Sequence, residues 1–193
     1  MTRRAFSTIV VLVIGFSLAG HSLWAQEEAP PRPKPGKEHE LLKQDSGTWD
    51  TVMRVYVNGP EGKPLEFKGT ESSQMICDGL WSEYNIESDF IEGKFKGHGL
   101  TGYDPQTKKY VGTWIDNGNT VPATVEGTYD PQTKTMTAIM TGRGPNGEQM
   151  KYKHTTEYLD KDTKKFTIYM PLEPAEGQVQ YIKIMEMTSK RRK

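Results

Sequence analysis

The chain has very little of what catalysis or cross-linking requires. It contains one cysteine, Cys77, and four histidines among 193 residues. A single thiol cannot form an intrachain disulfide, so a hydrophobic core must hold the fold. The sequence contains no HExxH, Gly-x-Ser-x-Gly, CxxC or phosphate-binding loop. We therefore predict no catalytic residue and no metal site, and the sequence favours a non-enzymatic role without deciding it.

An excess of charge of one sign is also absent. Lys and Arg number 25, Asp and Glu number 25, and the formal net charge is zero. Nucleic-acid binding normally needs a basic surface, and the four basic residues 190–193 form only a short tail. The sequence therefore predicts no nucleic-acid partner.

Long hydrophobic runs are missing, and one short run stands near the start. Arg3 and Arg4 precede the apolar residues 9–16, and small and polar residues follow as far as Ala25. This order is typical of a cleaved signal peptide, and the apolar run is too short to span a bilayer. We predict a signal peptide over 1–25, an exported protein that is periplasmic or extracellular, and no integral membrane segment in the mature chain. The arginine pair also resembles a twin-arginine signal, so the export route stays open.

The composition after the predicted signal changes twice. Residues 26–37 read QEEAPPRPKPGK, with four prolines in twelve residues, and predict an extended, disordered leader. Residues 38–44 predict a short helix. A β-barrel domain is expected over 38–190, because short runs rich in Thr, Val, Ile and aromatic residues alternate with Gly, Asn, Asp and Pro. Ten such runs are predicted as strands: 48–57, 65–76, 80–90, 94–103, 108–116, 121–130, 134–141, 149–159, 165–170 and 179–189.

One hexamer, YDPQTK, occurs twice, at 103–108 and 129–134. Asp followed by Pro and polar residues is typical of a tight turn, so each copy is predicted to close a hairpin. The spacing equals two strands and one loop, which places both turns at the same end of an up-and-down sheet. A meander of this length closes on itself, because closure removes the sheet edges. We predict the all-β class: a single up-and-down antiparallel β-barrel of about ten strands, lipocalin-like, with the short N-terminal helix at the closed end.

Several stretches carry a family resemblance. Gly47-Thr48-Trp49 resembles the Gly-x-Trp with which the first strand of lipocalins begins. The stretches HELLKQDSGTWD, GHGLTGYDPQTKKYVGTWID and VEGTYDPQTKTMT resemble the bacterial family called domain of unknown function 1579. The resemblance covers about 38–190 and implies an exported or cytoplasmic calycin-like β-barrel. It implies no catalytic residues, since no activity comes with it.

Alternation along each strand predicts which side chains point into the barrel. The inward set is apolar, aromatic and rich in methionine, with a few polar groups, which is typical of a small-molecule site. A filled core, with the polar groups bonded to their neighbours, would give the same pattern. The candidate ligand-binding residues are Glu71, Tyr84, Trp114, Met140, Tyr152 and His154.

Three functions fit these residues. The leading hypothesis is an exported lipocalin-like barrel that binds a small apolar or amphipathic ligand. A second is a haem- or metal-binding barrel that uses His154. The sequence otherwise predicts no cofactor, so haem belongs to this second hypothesis alone. A third is a structural or protein-interaction barrel with a filled core. An enzyme would need Glu71, Asp116 and His154 to cluster inside the barrel.

Overall fold

The computed structural model describes residues 31–91, 93–144, 146–172 and 179–193. The predicted signal peptide and residues 26–30 of the leader lie outside the described residues. One compact unit spans Pro33–Lys193. Its elements are α1 (Lys37–Gln44), β1 (Gly47–Val55), β2 (Leu65–Ile76), a short 3₁₀ turn (Cys77–Gly79), β3 (Trp81–Phe90), β4 (Gly93–Asp104), β5 (Lys109–Asp116), β6 (Ala123–Asp130), β7 (Thr135–Arg143), β8 (Gln149–Asp160), β9 (Thr163–Leu172) and β10 (Gln180–Arg191).

The ten strands form a closed antiparallel barrel in which each strand pairs with the next along the chain. β10 returns to β1, where Trp49 lies opposite Arg191 and Val55 lies opposite Met185. The predicted fold class is confirmed, and every strand bound lies within two residues of its predicted position. The period-2 pattern predicts the strands well because each strand has one face inside the barrel and one face outside.

The repeated hexamers form turns, as predicted. Asp104 Oδ1 accepts a hydrogen bond from the backbone N–H of Gln106 at 2.9 Å, and the Thr107 hydroxyl donates to Oδ2 at 2.7 Å. The second copy repeats both bonds around Asp130. In each copy the Asp carboxylate thus accepts hydrogen bonds from the turn residues that follow it, which is the usual role of Asp at the start of such a turn. The hexamers close the β4–β5 and β6–β7 hairpins at the same end of the barrel.

Helix α1 covers that end. Leu41 and Leu42 are buried in one cluster with Tyr110 and Tyr158. The Tyr110 hydroxyl donates a hydrogen bond to the carbonyl of Glu38 at 3.1 Å. The apolar side of the short helix therefore packs on the strands around it, which supplies the stability that so short a helix lacks by itself.

At this closed end of the barrel, Trp49 of β1 contacts both the end of the helix and the last strand. Two cations lie over its ring: the guanidinium of Arg191, 4.0 Å from the ring centroid, and the ammonium of Lys164, 4.6 Å from it. Its Nε1 donates to the carbonyl of Asp45 at 2.9 Å, and Arg191 Nη1 donates to the carbonyl of Ser46 at 2.6 Å. The base is thus closed by packed and hydrogen-bonded groups, so the free interior lies between it and the loops at the other end.

Candidate ligand-binding cavity

The barrel encloses a cavity of about 460 Å³. This volume falls within the range of about 300–1,000 Å³ that is usual for sites of small molecules. The wall consists mainly of inward side chains from all ten strands, with Leu42 and Asp45 at the base. The interior is therefore not filled by side chains, and the void that a binding function requires is present.

One side of the wall is aromatic, and two glycines of β4 make room for it. A β-carbon at Gly97 would lie 2.2 Å from Cη2 of Trp114, and one at Gly99 would lie 2.1 Å from Cζ of Tyr84. The two rings thus lean across the backbone of β4, with centroids 5.9 Å apart and planes 24° from parallel. Phe95 extends the row, 6.4 Å from Trp114. Because any larger residue at either glycine would displace a ring, these glycines set the width of the cavity.

Thioether side chains occupy much of the remaining wall. Met136 and Met140 come from β7, and Met185 and Met187 come from β10. Methionine is unbranched and polarizable, so it adapts its shape to an irregular partner. A wall with this composition can adapt to apolar molecules of different shapes better than it can select one shape.

The structure places the six predicted site residues unevenly. Five of them contribute to the wall of the cavity: Glu71, Tyr84, Trp114, Met140 and His154. Tyr152 shares the inward parity of His154 but lies one pleat nearer the loops, and it is not among the wall residues in the described part of the chain.

A buried ionic cluster forms the floor. Lys164 Nζ lies 2.7 Å from Glu71 Oε1 and 3.1 Å from Asp45 Oδ1, and the Ser189 hydroxyl donates to Glu71 Oε2 at 3.2 Å. Lys164 is 6% exposed and Glu71 is 5% exposed. Burial opposes the charge of Lys164, but the two carboxylates outweigh it and raise the pKa of Lys164. Glu71 therefore points inward with a partner that satisfies its charge.

The sequence-based interpretation missed Lys164 and Asp45. It began β9 at residue 165, whereas the strand begins at Thr163, which brings Lys164 onto the inward face shared by Phe166 and Ile168. Extending the alternation by one residue would have found it. Asp45 lies between helix and strand, where no periodicity applies, so no pattern could have assigned it to the interior.

His154 is a polar residue of the wall. Both of its ring nitrogens are buried and have no hydrogen-bond partner among the described residues. Its ring lies against Phe166, with centroids 5.2 Å apart. Burial lowers the pKa of His154 to about 4, so the imidazole is neutral at pH 7 and can donate one hydrogen bond and accept another. An unpartnered buried polar group costs about 1–3 kcal/mol, and a ligand group would recover this cost only if the ring turned a nitrogen towards the cavity.

Hydroxyl groups add a second polar feature near the floor. Desolvation inside the barrel raises the pKa of Tyr84 to about 12, so its hydroxyl stays protonated. Ser73 and Ser82 share a hydrogen bond at 3.2 Å on the same part of the wall. The polar groups of the wall are therefore sparse, and they are mostly hydroxyls bonded within the barrel.

The residues that an enzyme would need do not form a hydrogen-bonded cluster. Asp116 accepts a hydrogen bond from Trp114 Nε1 at 2.8 Å, whereas Glu71 bonds Lys164 and Ser189. His154 has no partner among the described residues. Within those residues, no group of three His, Cys, Asp and Glu side chains is arranged to hold a metal ion.

Exposed apolar side chains surround part of the loop end. They belong to three neighbouring hairpins, β9–β10, β1–β2 and β3–β4. The exposed residues are Val57, Leu65, Phe90, Ile91, Leu172 and Val179. Phe90 also contributes to the wall of the cavity, so apolar surface continues from the outside into the interior. This continuity gives an apolar molecule a path into the barrel.

A family model described as protein of unknown function (DUF1579) matches residues 34–191. The chain belongs to this family. The match confirms the resemblance to this family that was read from the sequence, and this member of the DUF1579 family is a closed ten-stranded β-barrel. No helix in the described residues of this DUF1579 member is long and apolar enough to cross a bilayer.

Solved structures of similar fold are barrels with low sequence identity. The S-type phycobiliprotein lyase CPES from Guillardia theta has a TM-score of 0.55 and 11% identity, over 81% of this chain and 93% of that one. A de novo designed fluorescence-activating β-barrel has a TM-score of 0.41 and 14% identity, over 78% of this chain and 96% of that one. A redesigned β-barrel has a TM-score of 0.40 and 13% identity, over 83% of this chain and all of that one (100%). No curated protein sequence matches the chain.

Proposed function

We propose that this protein binds one small apolar or amphipathic molecule inside its barrel. The observation that carries this proposal is the cavity of about 460 Å³ with a wall of aromatic, aliphatic and thioether side chains. Burial of apolar ligand surface against such a wall contributes roughly 25 cal/mol per Å², which is ample for specific binding of a small molecule. The similar fold of CPES supports the barrel and not any particular ligand.

We further propose that the protein acts after export. Residues 1–25 have the order of a signal peptide, and the proline-rich residues 26–37 then separate the barrel from the cleavage site. A mature chain that begins at Gln26 fits this proposal. The ligand would then be a molecule of the periplasm or the cell exterior.

Blocking the cavity tests the binding function. Met140→Trp replaces a flexible side chain of the wall with a bulky ring that occupies part of the cavity. We therefore expect the affinity for Nile red, an uncharged planar dye, to fall at least about tenfold. Fluorescence titration measures it, since the emission of the dye rises in an apolar site.

The matched control is Ile139→Trp, one position along the same strand but with its side chain on the outer face. It adds the same ring outside the barrel, so the dye affinity should stay within about twofold of wild type. Equal loss in both variants, or no loss in either, would contradict binding inside the barrel.

Haem binding is a second candidate, favoured by one observation: His154 lines the cavity as a neutral imidazole without a partner among the described residues. Neutral imidazole is the usual proximal ligand of haem iron. If this candidate is right, added ferric haem gives a Soret band in the wild type and not in His154→Leu. Identical spectra for the two proteins would remove haem ligation through His154 from consideration.

A further inference from the structure

The wall of the cavity carries more negative than positive charge. Three carboxylates contribute to it, from Asp45, Glu71 and Asp116, and Lys164 is the one Lys or Arg side chain of the wall in the described part of the chain. At neutral pH these four groups carry a formal charge of −2. Since the rest of the wall is mainly apolar, little else offsets this charge.

The single cation of the described wall is already engaged. Lys164 Nζ lies 2.7 Å from Glu71 and 3.1 Å from Asp45, so two carboxylates already compensate its charge. An anion that approaches this ammonium also approaches Glu71 and Asp45, whose two negative charges repel it. Lys164 thus does not give the cavity a net positive charge at its floor.

The other polar groups of the wall offer hydrogen bonds without charge. His154 is neutral at pH 7, because burial lowers its pKa to about 4. Trp114 Nε1 is bonded to Asp116, and Ser73 is bonded to Ser82. An alcohol, amide or ketone can pair with the imidazole of His154 once the ring turns one of its buried nitrogens towards the cavity, whereas a carboxylate would gain that bond and lose its hydration.

We propose that the cavity selects uncharged amphiphiles with one hydrogen-bonding group and rejects anions that have the same apolar skeleton. The inference rests on the proposed binding function and deepens it. It assigns the natural ligand to the class of alcohols, esters, amides and ketones, and it excludes free fatty acids and other carboxylates. It also counts against haem, whose two propionates are anionic.

Two probes with one skeleton test the selection. 1-Pyrenebutanol is uncharged, and 1-pyrenebutyrate is an anion at pH 7.5. We expect the alcohol to bind at least about tenfold more tightly than the carboxylate at physiological ionic strength, because buried charges are poorly screened by salt. Fluorescence titration of the full mature chain gives both dissociation constants.

Removing negative charge from the wall should weaken the selection. Asp45→Asn/Asp116→Asn keeps the Glu71–Lys164 pair and brings the formal charge of the wall to zero. We expect the affinity for pyrenebutyrate to rise about tenfold, with little change for pyrenebutanol. The control is Glu126→Gln/Glu157→Gln, which removes the same charge from two partly exposed outer positions that pair with lysines. This control should leave the ratio of the two affinities unchanged.

The possible outcomes distinguish a failure of the charge selection from a failure of the proposed binding function. If neither probe binds, and Nile red does not bind either, the proposed binding function is wrong. If both probes bind and pyrenebutyrate binds as tightly as pyrenebutanol, the function stands and the charge selection is wrong. If the outer variant changes the ratio as much as the inner one, the selection arises from the overall charge and not from the wall.

Discussion

Replacing Lys164 by methionine should cost about 3–5 kcal/mol of the free energy of unfolding. The substitution leaves Glu71 buried without a counter-ion beside Asp45, which itself lies 3.1 Å from the lysine ammonium in the wild type. Lys164 and Glu71 are both almost fully buried, so the carboxylate left behind is poorly hydrated. Urea or thermal unfolding at pH 7 measures the change.

Two further variants make this result specific. Lys165→Met breaks an ion pair of similar length, 3.0 Å to Glu157, on the partly exposed outer face, and it should cost less than about 1 kcal/mol. Lys164→Met/Glu71→Leu removes both charges of the buried pair and should recover most of the loss. A cost for Lys164→Met no larger than that for Lys165→Met would contradict a buried ionic floor.

Acid should destabilise the wild type more than the variant His154→Leu. The pKa of His154 in the folded protein is about 4, below the value of about 6.5 for an unfolded chain. The unfolded chain therefore takes up the proton more readily, and stability falls as the pH drops from about 6.5 towards 4. Between pH 7 and pH 5 the wild type should lose about 2 kcal/mol more than the variant.

The comparison cancels the carboxylates, because they titrate in both proteins. His98→Leu is the matched control, since His98 lies on the outer face with Asn85 and Glu83 as neighbours. Between pH 7 and pH 5, His98→Leu should lose about as much free energy of unfolding as the wild type does. Equal losses for wild type and His154→Leu would show that His154 is not buried as a neutral imidazole.

The strands and their inward faces could be predicted from the sequence, because successive residues of a barrel strand point alternately to the interior and to the outer face. Phe166 and Ile168, for example, alternate with the polar residues of β9, and both line the cavity. The repeated Asp-Pro turns indicated the spacing and the direction of the hairpins. These are local features, so one sequence is enough to read them.

The partners of the inward polar groups could not be predicted in the same way. Glu71 and Lys164 stand 93 positions apart, and only the closed barrel brings them to 2.7 Å. Likewise, Gly97 and Gly99 suggest a bend in a strand, whereas the structure uses them to accommodate the rings of Trp114 and Tyr84. Contacts between distant strands depend on register, which alternation alone does not give.

The volume of the interior is also beyond the reach of a sequence pattern. An inward face of the same composition can pack into a solid core or surround a void, and small shifts of large rings decide between them. In this barrel the aromatic row lies against β4, and the methionines of β7 and β10 leave the centre open. The cavity is thus the structural result on which the proposed function depends.

Native mass spectrometry of the protein purified from its own source tests the central claim most directly. We expect a chain that begins at Gln26 and carries one small uncharged molecule, which denaturation releases for identification. A bare chain that also fails to bind Nile red or pyrenebutanol would contradict the claim that this barrel is a small-molecule binder.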